Sequence, residues 1–400
     1  MVKQKQNILV LTYWSFNDPL IQTYTLPYLK IIRAVSNKEI YLLTLEKNKN
    51  VQIDVTKIPD GVHLISFNYV PFGLKAFFKW CQILLILIFS IIFSKKIEYI
   101  HCWGLPTGVF GILLSKLLSK KLILDSYEPH AESMVENGQW RRNSIAYKIL
   151  FSFEKYQTKN AKYIISATKG MRNYAQEKYD CEMQDEQFFV KPACVNMNQF
   201  RLSMKKDPEL MAQYSIQEED IVMVYSGKFG GIYLEDEVFE FIKVANEFWG
   251  EKFKVLIFTG QADYVQEQVL KYQLNNVQTD FIPHHQVPKC MGLGDFGITP
   301  VKPIPTKRYC TPIKDGEYWA LGLPIVITKN ISDDSDIIEK EGIGYVWKDT
   351  SPEEYLKSVQ YIDQLLKSTD RRDLSQRIRN IAERYRNYKV AEDIYKTIYS

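Results

Sequence analysis

Short apolar runs alternate with helical segments along most of this 400-residue chain, and no other feature constrains its fold as strongly. Runs that stay apolar throughout are typical of strands buried on both faces, and helices between them predict parallel sheets with βαβ crossovers. The first series contains seven such runs, at residues 7–13, 39–45, 62–67, 97–103, 122–127, 163–168 and 188–193.

A polar stretch without periodicity, residues 198–218, interrupts this alternation and reads as a linker. Only helices are predicted after Pro352. At ~100–200 residues per domain, the length favours two domains, and the pattern makes each a doubly wound α/β domain. Ligands of such domains bind at the carboxyl ends of the strands, so the predicted site is the cleft between the two domains. The second series of strands is predicted at residues 221–226, 253–259, 277–282, 296–301 and 324–328.

The net charge of +4 conceals a strong asymmetry between the two halves of the chain. Residues 1–204 carry 26 Lys/Arg against 16 Asp/Glu, a balance of +10, whereas the remainder carries 25 against 31, a balance of −6. A basic half indicates an anionic partner, such as a phosphate-bearing substrate or the inner face of a membrane. No arginine-rich cluster interleaved with aromatic residues is present, so nucleic acid is the least expected partner.

Several classes of protein are disfavoured by missing motifs. The six cysteines are scattered singly, which indicates free thiols in a reducing cytoplasm. The sequence contains no HExxH motif or His/Cys cluster, so no metal site is predicted. It also lacks a phosphate-loop lysine motif and GxGxxG, which disfavours an ordinary ATPase or dinucleotide oxidoreductase. The apolar run after the basic residues 1–6 has only strand length, so no secretory leader is expected.

The most apolar stretch, residues 80–93, is flanked by lysines. Its 14 residues are too few for a transmembrane helix, which needs ~20. Two interpretations remain open. The helix is either buried against a sheet, or it also dips into a bilayer face, with neighbouring aromatic side chains at the interface and the lysines on anionic headgroups.

The most informative segment is residues 311–328, which read as a turn, a short helix and a buried strand. Pro312 suits the first turn of the helix, and Gly322 suits its end. Lys314 and Glu317 lie three residues apart and therefore share a face of the helix. The helix N-terminus suits a diphosphate, and a carboxylate one turn further along can accept the hydroxyl groups of a ribose. The alternative is an ordinary surface pair.

This segment resembles the donor-sugar motif of bacterial glycosyltransferases of family 4, in which a stretch similar to Pro-x-Lys-x-x-Glu-Tyr-x-Ala-x-Gly-x-Pro-Val-Ile occurs. The segment 191–200 is similar to the family's Pro-x-x-Val-Asp-x-x-x-Phe, with Asn196 in place of Asp. Residues 224–231 resemble its glycine-bearing loop, residues 294–300 its Ala-Asp-x-x-x-x-Pro, and residues 161–171 its last strand–helix unit before the crossing. The resemblance covers nearly the whole chain and is strongest from Val224 to Thr328.

The resemblance implies the GT-B fold, in which two Rossmann-like domains face each other across a cleft and a C-terminal helix crosses back to the first domain. The expected domains are 1–200 for the acceptor, 201–375 for the nucleotide-sugar donor, and 376–400 for the crossing helix. The implied reaction transfers a sugar, hexosyl or N-acetylhexosaminyl, from a UDP- or GDP-sugar to an acceptor hydroxyl with retention at the anomeric carbon. The nucleotide sugar is a co-substrate, and no cofactor or metal is expected.

On the donor side, the resemblance places Lys228 against the diphosphate and Glu317 on the nucleotide. The leaving group is a nucleoside diphosphate, so cations and backbone amides are needed to neutralise the negative charge that grows on it. The glycines let the backbone approach the phosphates, or form an ordinary tight turn. Many family members carry Glu-x7-Glu, but Tyr309 stands here at the first position, which leaves the handling of the sugar open. The predicted donor-binding residues are Gly227, Lys228, Gly230, Gly231, Tyr309, Thr311, Pro312, Lys314 and Glu317.

On the acceptor side, a polar segment follows the strand at residues 122–127. His130 is expected to hydrogen-bond the transferred sugar, and Glu128 to orient or deprotonate the acceptor, unless the segment is only a capped loop. Lys228, Glu317, Glu128 and His130 are the predicted catalytic residues. Asp125 and Glu128, together with Asp18 and Gln22 after the first strand, are predicted to face the acceptor. Asp18 is equally plausible as a helix N-cap.

The leading hypothesis is a cytoplasmic glycosyltransferase, peripheral on the inner membrane, that extends a lipid-linked glycan in bacterial surface-polysaccharide synthesis. One alternative is another enzyme of the same fold, such as a sugar-nucleotide epimerase or a glycogen-synthase-like polymerase. A second alternative is a non-catalytic partner subunit, which only the Tyr309 replacement favours. The donor sugar, the base, the acceptor, the linkage and the oligomeric state do not follow from the sequence.

Overall fold

The structure is a computed structural model that describes residues 6–47, 53–70, 74–92, 95–368 and 370–400. The chain forms two compact units. The first comprises residues 1–191 and 389–400, and the second residues 192–388. The domain boundaries predicted from the sequence lie at 200/201 and 375/376. The boundaries between the two units along the chain lie at Lys191/Pro192 and Tyr388/Lys389.

The first unit is built on a seven-stranded sheet in the order β3-β2-β1-β4-β5-β6-β7, with all neighbouring strands parallel. Its strands are β1 (Asn7–Leu11), β2 (Ile40–Glu46), β3 (Val62–Asn68), β4 (Ile97–Trp103), β5 (Lys121–Tyr127), β6 (Tyr163–Ser166) and β7 (Phe188–Val190). Its helices are α1 (Leu26–Ser36), α2 (Leu74–Ile86), α3 (Leu105–Leu118), α4 (His130–Glu136), α5 (Ile145–Asn160) and α6 (Met171–Tyr179), with π-helical turns at Leu20–Thr25 and Leu87–Ile92.

The second unit repeats the architecture with a six-stranded parallel sheet in the order β10-β9-β8-β11-β12-β13. Its strands are β8 (Ile221–Ser226), β9 (Phe253–Phe258), β10 (Val277–Asp280), β11 (Phe296–Thr299), β12 (Ile325–Thr328) and β13 (Gly344–Trp347). Its helices are α7 (Pro208–Gln213), α8 (Asp236–Trp249), α9 (Ala262–Tyr272), α10 (Val287–Met291), α11 (Ile313–Ala320), α12 (Asp334–Glu341), α13 (Pro352–Ser368) and α14 (Arg371–Arg386).

The predicted α/β class with two Rossmann-like, doubly wound domains is therefore confirmed. The central strands are buried on both faces, as their unbroken apolar runs indicate: residues 8–10 of β1 and 222–224 of β8 have no exposed surface. The segment predicted as a linker contains α7, because the Asp207 carboxylate caps the helix by accepting hydrogen bonds from the backbone N–H of Glu209 and Leu210.

The last helix, α15 (Tyr388–Tyr399), belongs to the first unit from Lys389 onward. Its tyrosines reach the core of that unit. The Tyr395 hydroxyl donates to the Asp125 carboxylate at 2.7 Å, and the Tyr399 hydroxyl lies 2.6 Å from His101 Nδ1. The preceding helix α14 belongs to the second unit, where it packs on α11.

The apolar segment at residues 80–93 is described up to Ile92 and so falls on α2 and the π-helical turn after it. Its inner face packs into the first unit, since Ile83 and Leu87 are buried and the Trp80 ring stacks on Phe110 of α3 at 3.7 Å. Its outer face leaves Leu85 and Phe89 exposed. In the described parts of the chain, no helix is long and apolar enough to cross a bilayer.

Candidate functional site

In the second unit, a glycine loop follows β8 at the carboxyl edge of the sheet. Gly230 and Gly231 adopt φ values of +80° and +63°, which favour glycine. The loop is tied to its surroundings by the Tyr225 hydroxyl, which donates to the Lys228 carbonyl at 2.6 Å, and by the Phe229 N–H, which donates to the Gln261 side chain at 2.7 Å. The Lys228 side chain itself is exposed. The loop therefore presents one lysine and a turn of accessible backbone to solvent.

The helix α11 begins beside this loop, with Pro312 as its N-cap residue. Lys314 on its first turn lies over Gly227, where an added Cβ would come within 2.6 Å of Lys314 Cε. The Lys314 ammonium also lies 5.0 Å from the centre of the Tyr233 ring and 5.8 Å from that of Tyr225. Glycine at position 227 thus gives the lysine room to lie across the loop.

Glu317 lies one turn further along α11 and is half-buried. Burial raises the pKa of its carboxyl group to about 7, although the nearby charge of Lys314 lowers it. Among the described residues, Lys314 and Glu317 form no ion pair, so the alternative of an ordinary surface salt bridge between them does not hold. The carboxylate is held close to a cation while keeping its oxygen atoms available, which suits it to accept hydrogen bonds from a ligand.

A cavity of about 210 Å³ opens at the carboxyl end of β11, next to the N-terminus of α11. Thr311 and Pro312 line one side of it, and Thr311 is hydrogen-bonded to the Ser332 side chain. Lys307 and Lys314 also line the cavity. Tyr309 is half-buried on the short 3₁₀ helix Pro305–Tyr309 and does not line it.

Asp315 of α11 and Asp334 of α12 form a buried acidic pair. Asp315 accepts a hydrogen bond from the Thr299 hydroxyl, and Asp334 pairs with the buried Arg386. Burial and the neighbouring Asp334 raise the pKa of Asp315 well above its usual range. Thr299, which lines the cavity, is therefore held from behind by the Asp315 carboxyl group.

In the first unit, predicted acceptor residues meet around Tyr13, just after β1. The His130 ring at the start of α4 lies edge-on to the Tyr13 ring, with 6.5 Å between their centres. Burial and then the charges of Glu128 and Asp18 raise the pKa of Tyr13, so both carboxylates are close enough to act on it. The carboxyl ends of β1 and β5 thus bring Asp18, Glu128 and His130 together.

The two residues predicted near the first strand also have structural partners. The Asp18 carboxylate accepts a hydrogen bond from the Leu20 N–H at 2.9 Å, but the N-cap residue of the π-helical turn is Pro19, so Asp18 is not the N-cap. Gln22 donates from its side-chain amide to the Phe16 carbonyl at 2.7 Å. Both side chains are half-buried. They shape the loop after β1, and part of each remains accessible.

Asp125 does not fit its predicted place in the acceptor site, because it lies in the core with 1% of its surface exposed. Its carboxylate oxygens contact the ammonium of Lys191 at 3.2 Å, His101 Nε2 at 3.2 Å and the Tyr395 hydroxyl at 2.7 Å. Burial raises its pKa, but the Lys191 charge and these hydrogen bonds outweigh that effect and lower the pKa to about 2. Asp125 therefore joins β5 to α15.

Sequence reasoning missed Tyr13 and Tyr233. Tyr13 immediately follows the first strand, so its position at the carboxyl edge was a usable signal. The sequence offers Lys307, Arg308 and Lys314 as replacements for the lysine that is missing after the glycine loop. It gives no signal that Lys307 is buried, because a buried lysine and an exposed one look the same in a sequence. Among the described residues, no group of three or more His, Cys, Asp or Glu side chains is arranged to hold a metal ion.

No protein-family model and no curated protein matches this sequence. Solved structures do match it over nearly its full length. Sucrose-phosphate synthase from Thermosynechococcus elongatus superposes with a TM-score of 0.73 and 15% identity, over 99% of this chain and 98% of that one. The lipopolysaccharide glycosyltransferase WaaG gives 0.69 and 14%, over 98% and 99%. HepE from Anabaena, in complex with UDP and glucose, gives 0.68 and 13%, over 99% and 100%.

Identities this low establish the fold and leave the substrates open. The fold of this chain is that of the GT-B glycosyltransferases, which the sequence resemblance predicted.

Proposed function

We propose that this protein is a retaining glycosyltransferase of family 4 that moves a sugar from a nucleoside-diphosphate sugar to a hydroxyl group of a glycan acceptor. One observation carries the proposal. Lys314, Glu317 and the glycine loop lie together at the carboxyl edge of the second sheet, where ligands of such sheets bind. UDP and GDP are the candidate leaving groups, and the UDP-glucose complex of HepE favours UDP.

On the donor side, the N-terminus of α11 and the cations of Lys228 and Lys314 would stabilise the negative charge that grows on the diphosphate as the sugar leaves. The loop residues Gly230 and Gly231 would give the ligand access to backbone N–H groups. The Glu317 carboxylate would accept hydrogen bonds from the ribose hydroxyls.

On the acceptor side, His130 would hydrogen-bond the transferred sugar, and Glu128 would orient or deprotonate the attacking hydroxyl group. Their grouping around Tyr13 supports this assignment. Asp125 has no part in it, since its oxygen atoms face His101, Lys191 and Tyr395.

We further propose that the acceptor is lipid-linked and that the first unit binds the inner face of the cytoplasmic membrane. Large apolar side chains are exposed on three helices of this unit, among them Phe89, Leu117 and Ile149. Trp80 stacks on Phe110, and α3 packs on α5, so these helices are neighbours. Exposed lysines accompany them, including Lys116 and Lys148. Apolar side chains interspersed with lysines suit an anionic lipid surface.

The donor proposal is tested by calorimetric and thermal-shift titration with UDP, GDP, CMP and ADP. We expect one diphosphate to raise the melting temperature of the wild type by mass action, and Glu317→Ala to reduce that shift. Glu339→Ala, on a helix outside the cavity, is the matched control. Absence of stabilisation by any of the four nucleotides would remove the donor assignment.

The membrane proposal is tested by co-sedimentation with vesicles of phosphatidylglycerol or phosphatidylcholine. Leu117→Ser should weaken binding to the anionic vesicles, whereas Leu270→Ser in the second unit should not, although both side chains are 69% exposed. Equal behaviour of the two variants, or equal binding to both lipids, would contradict the proposed surface.

A further inference from the structure

Part of the buried face of α5 in the first unit is polar. Glu154, Gln157 and Thr158 lie on this helix and have no exposed surface. Their spacings of three and four residues place Glu154 on the same side of the helix as the other two. Buried polar groups cost free energy of folding unless their hydrogen bonds are made, so this face needs specific partners.

Glu154 supplies a hydrogen bond that the start of α4 lacks. The first N–H groups of a helix have no partner within the helix. The N-cap residue of α4 is Pro129, whose side chain makes no capping hydrogen bond, and the Ala131 N–H donates instead to the Glu154 carboxyl group at 2.8 Å. The other Glu154 oxygen accepts from the Tyr179 hydroxyl at 2.9 Å, which fixes the orientation of the carboxyl group. A side chain of another helix therefore holds the start of α4.

Thr158, one helical turn after Glu154, holds the end of β5. Its hydroxyl donates to the Glu154 carbonyl at 2.6 Å and lies 2.7 Å from the Tyr127 hydroxyl. Because the single proton of the Thr158 hydroxyl is engaged with that carbonyl, Tyr127 is the donor between the two hydroxyl groups. Tyr127 is the last residue of β5 and is fully buried.

These two contacts lie on either side of segment 128–130. Tyr127 precedes the segment and Ala131 follows it, and both are hydrogen-bonded to α5. The segment carries the two side chains that the proposed function places on the acceptor hydroxyl and the transferred sugar. Gln157 makes a similar contact after β4, where its side-chain amide donates to the Leu105 carbonyl at 3.2 Å. The polar face of α5 thus fixes the backbone at the carboxyl edge of the first sheet.

We propose that Glu154 and Thr158 are positioning residues for the reaction, which hold segment 128–130 in the conformation that brings Glu128 and His130 to the acceptor. The inference rests on the proposed function and adds two residues that are too deeply buried to touch a substrate. Apolar side chains of similar size would also fill this space, whereas satisfied buried hydrogen bonds specify one backbone geometry.

The test follows the five histidines of the protein by NMR, with their imidazole rings isotopically labelled. His130→Gln identifies the His130 resonance by its disappearance. Thr158→Val and Glu154→Met each remove hydrogen bonds with little change in volume, and both should displace or broaden this resonance. Thr158→Ser and Glu154→Gln keep the hydrogen bonds and should show it at the wild-type position. Thr158→Val, the smaller change, carries the test if Glu154→Met does not fold.

Ser115→Ala is the matched control. Ser115 is also a buried hydroxyl of the first unit, but it donates to the Lys120 carbonyl at 2.6 Å, at the opposite end of β5. Its removal should leave the His130 resonance unchanged.

The same variants are assayed for UDP release from UDP-glucose, with water as the acceptor, and for UDP affinity by titration calorimetry. Thr158→Val should slow UDP release about ten- to hundredfold, because a shift of about 1 Å in a catalytic group has an effect of this size. Its affinity for UDP, which the proposed function places on the second unit, should equal that of the wild type. Thr158→Ser should restore the rate. A general loss of folded protein would lower both quantities together.

A His130 resonance at its wild-type position in folded Thr158→Val and Glu154→Met would overturn the inference. An equal displacement in Ser115→Ala would also overturn it, since the effect would then be a general loosening of the unit. If His130→Gln releases UDP at the wild-type rate, the proposed role of His130 fails, and if the wild type releases none, UDP-glucose is not its donor. In both cases the NMR comparison still decides whether Glu154 and Thr158 hold the segment.

Discussion

Glu154 on α5 is a fully buried carboxyl group, and the cost of ionising it inside the fold can be measured directly. Its two oxygens accept hydrogen bonds from the Ala131 N–H at 2.8 Å and from the Tyr179 hydroxyl at 2.9 Å. Burial raises its pKa from an ordinary 4.5 to about 8, because the loss of hydration outweighs these two bonds. Through Ala131 it holds the start of α4, where His130 lies.

The expected effect follows from linkage. Because the folded pKa lies above the unfolded one, the stability that this group contributes is present in full below about pH 4.5 and is lost as the pH rises towards 8. Each pH unit in that window costs ~1.4 kcal/mol, so about 3 kcal/mol is lost between pH 5.5 and 7.5. Glu154→Gln has the same shape and does not titrate. Its amide can donate to Tyr179 while its oxygen accepts from Ala131.

We therefore predict that the unfolding free energy of Glu154→Gln, relative to the wild type, rises by about 3 kcal/mol between pH 5.5 and 7.5. Urea unfolding at pH 5.5, 6.5 and 7.5, followed by tryptophan fluorescence, measures it. Glu177→Gln, an exposed glutamate on α6, should show a constant difference. A pH-independent difference for Glu154→Gln would mean that the buried carboxyl group is ionised throughout, and it would refute the reasoning.

Three further predictions concern residues of the two units. Nucleotide affinity, measured by titration calorimetry, should rise between about pH 6 and 8 as Glu317 ionises, and the affinity of Glu317→Gln should not change with pH. A wild-type affinity that does not change with pH would contradict this prediction. Gly227→Ala should displace Lys314 and weaken nucleotide binding about tenfold, with little change in melting temperature. The control Gly260→Ala should bind nucleotide as the wild type does, because its added Cβ meets nothing closer than 3.9 Å. Asp125→Asn should cost about 3–5 kcal/mol of stability in urea unfolding, because a buried lysine loses its counter-ion; wild-type stability would exclude that pairing.

Much of the fold could be read from the sequence, because strands buried on both faces leave an unbroken apolar run. Twelve of the thirteen described strands coincide with predicted runs. The exception is β13, whose four residues Gly344–Trp347 form no run long enough to recognise. It exists because it pairs with β12 at the edge of the sheet, which is a tertiary contact. Helix α7 was missed because its six residues carry no periodic pattern, only a cap.

The candidate site divides in the same way. Lys314, Glu317 and Gly322 lie where local chemistry predicts them, since helix ends and the spacing of residues on a helix face depend only on neighbours in the chain. Pro312 precedes the predicted first turn by one residue, as the N-cap. The close approach of Lys314 to Gly227 joins residues far apart in sequence and needed the folded sheet.

The sequence by itself determined the two α/β sheets, the order of their elements and the helix that carries Lys314 and Glu317, because these follow from patterns of a few consecutive residues. Only the tertiary structure decided that Asp125 is a buried partner of Lys191 and that Lys307 lines a cavity. Burial and charge pairing depend on which distant segments pack around a side chain, and an aspartate or lysine looks the same in the sequence whether it is solvated or enclosed.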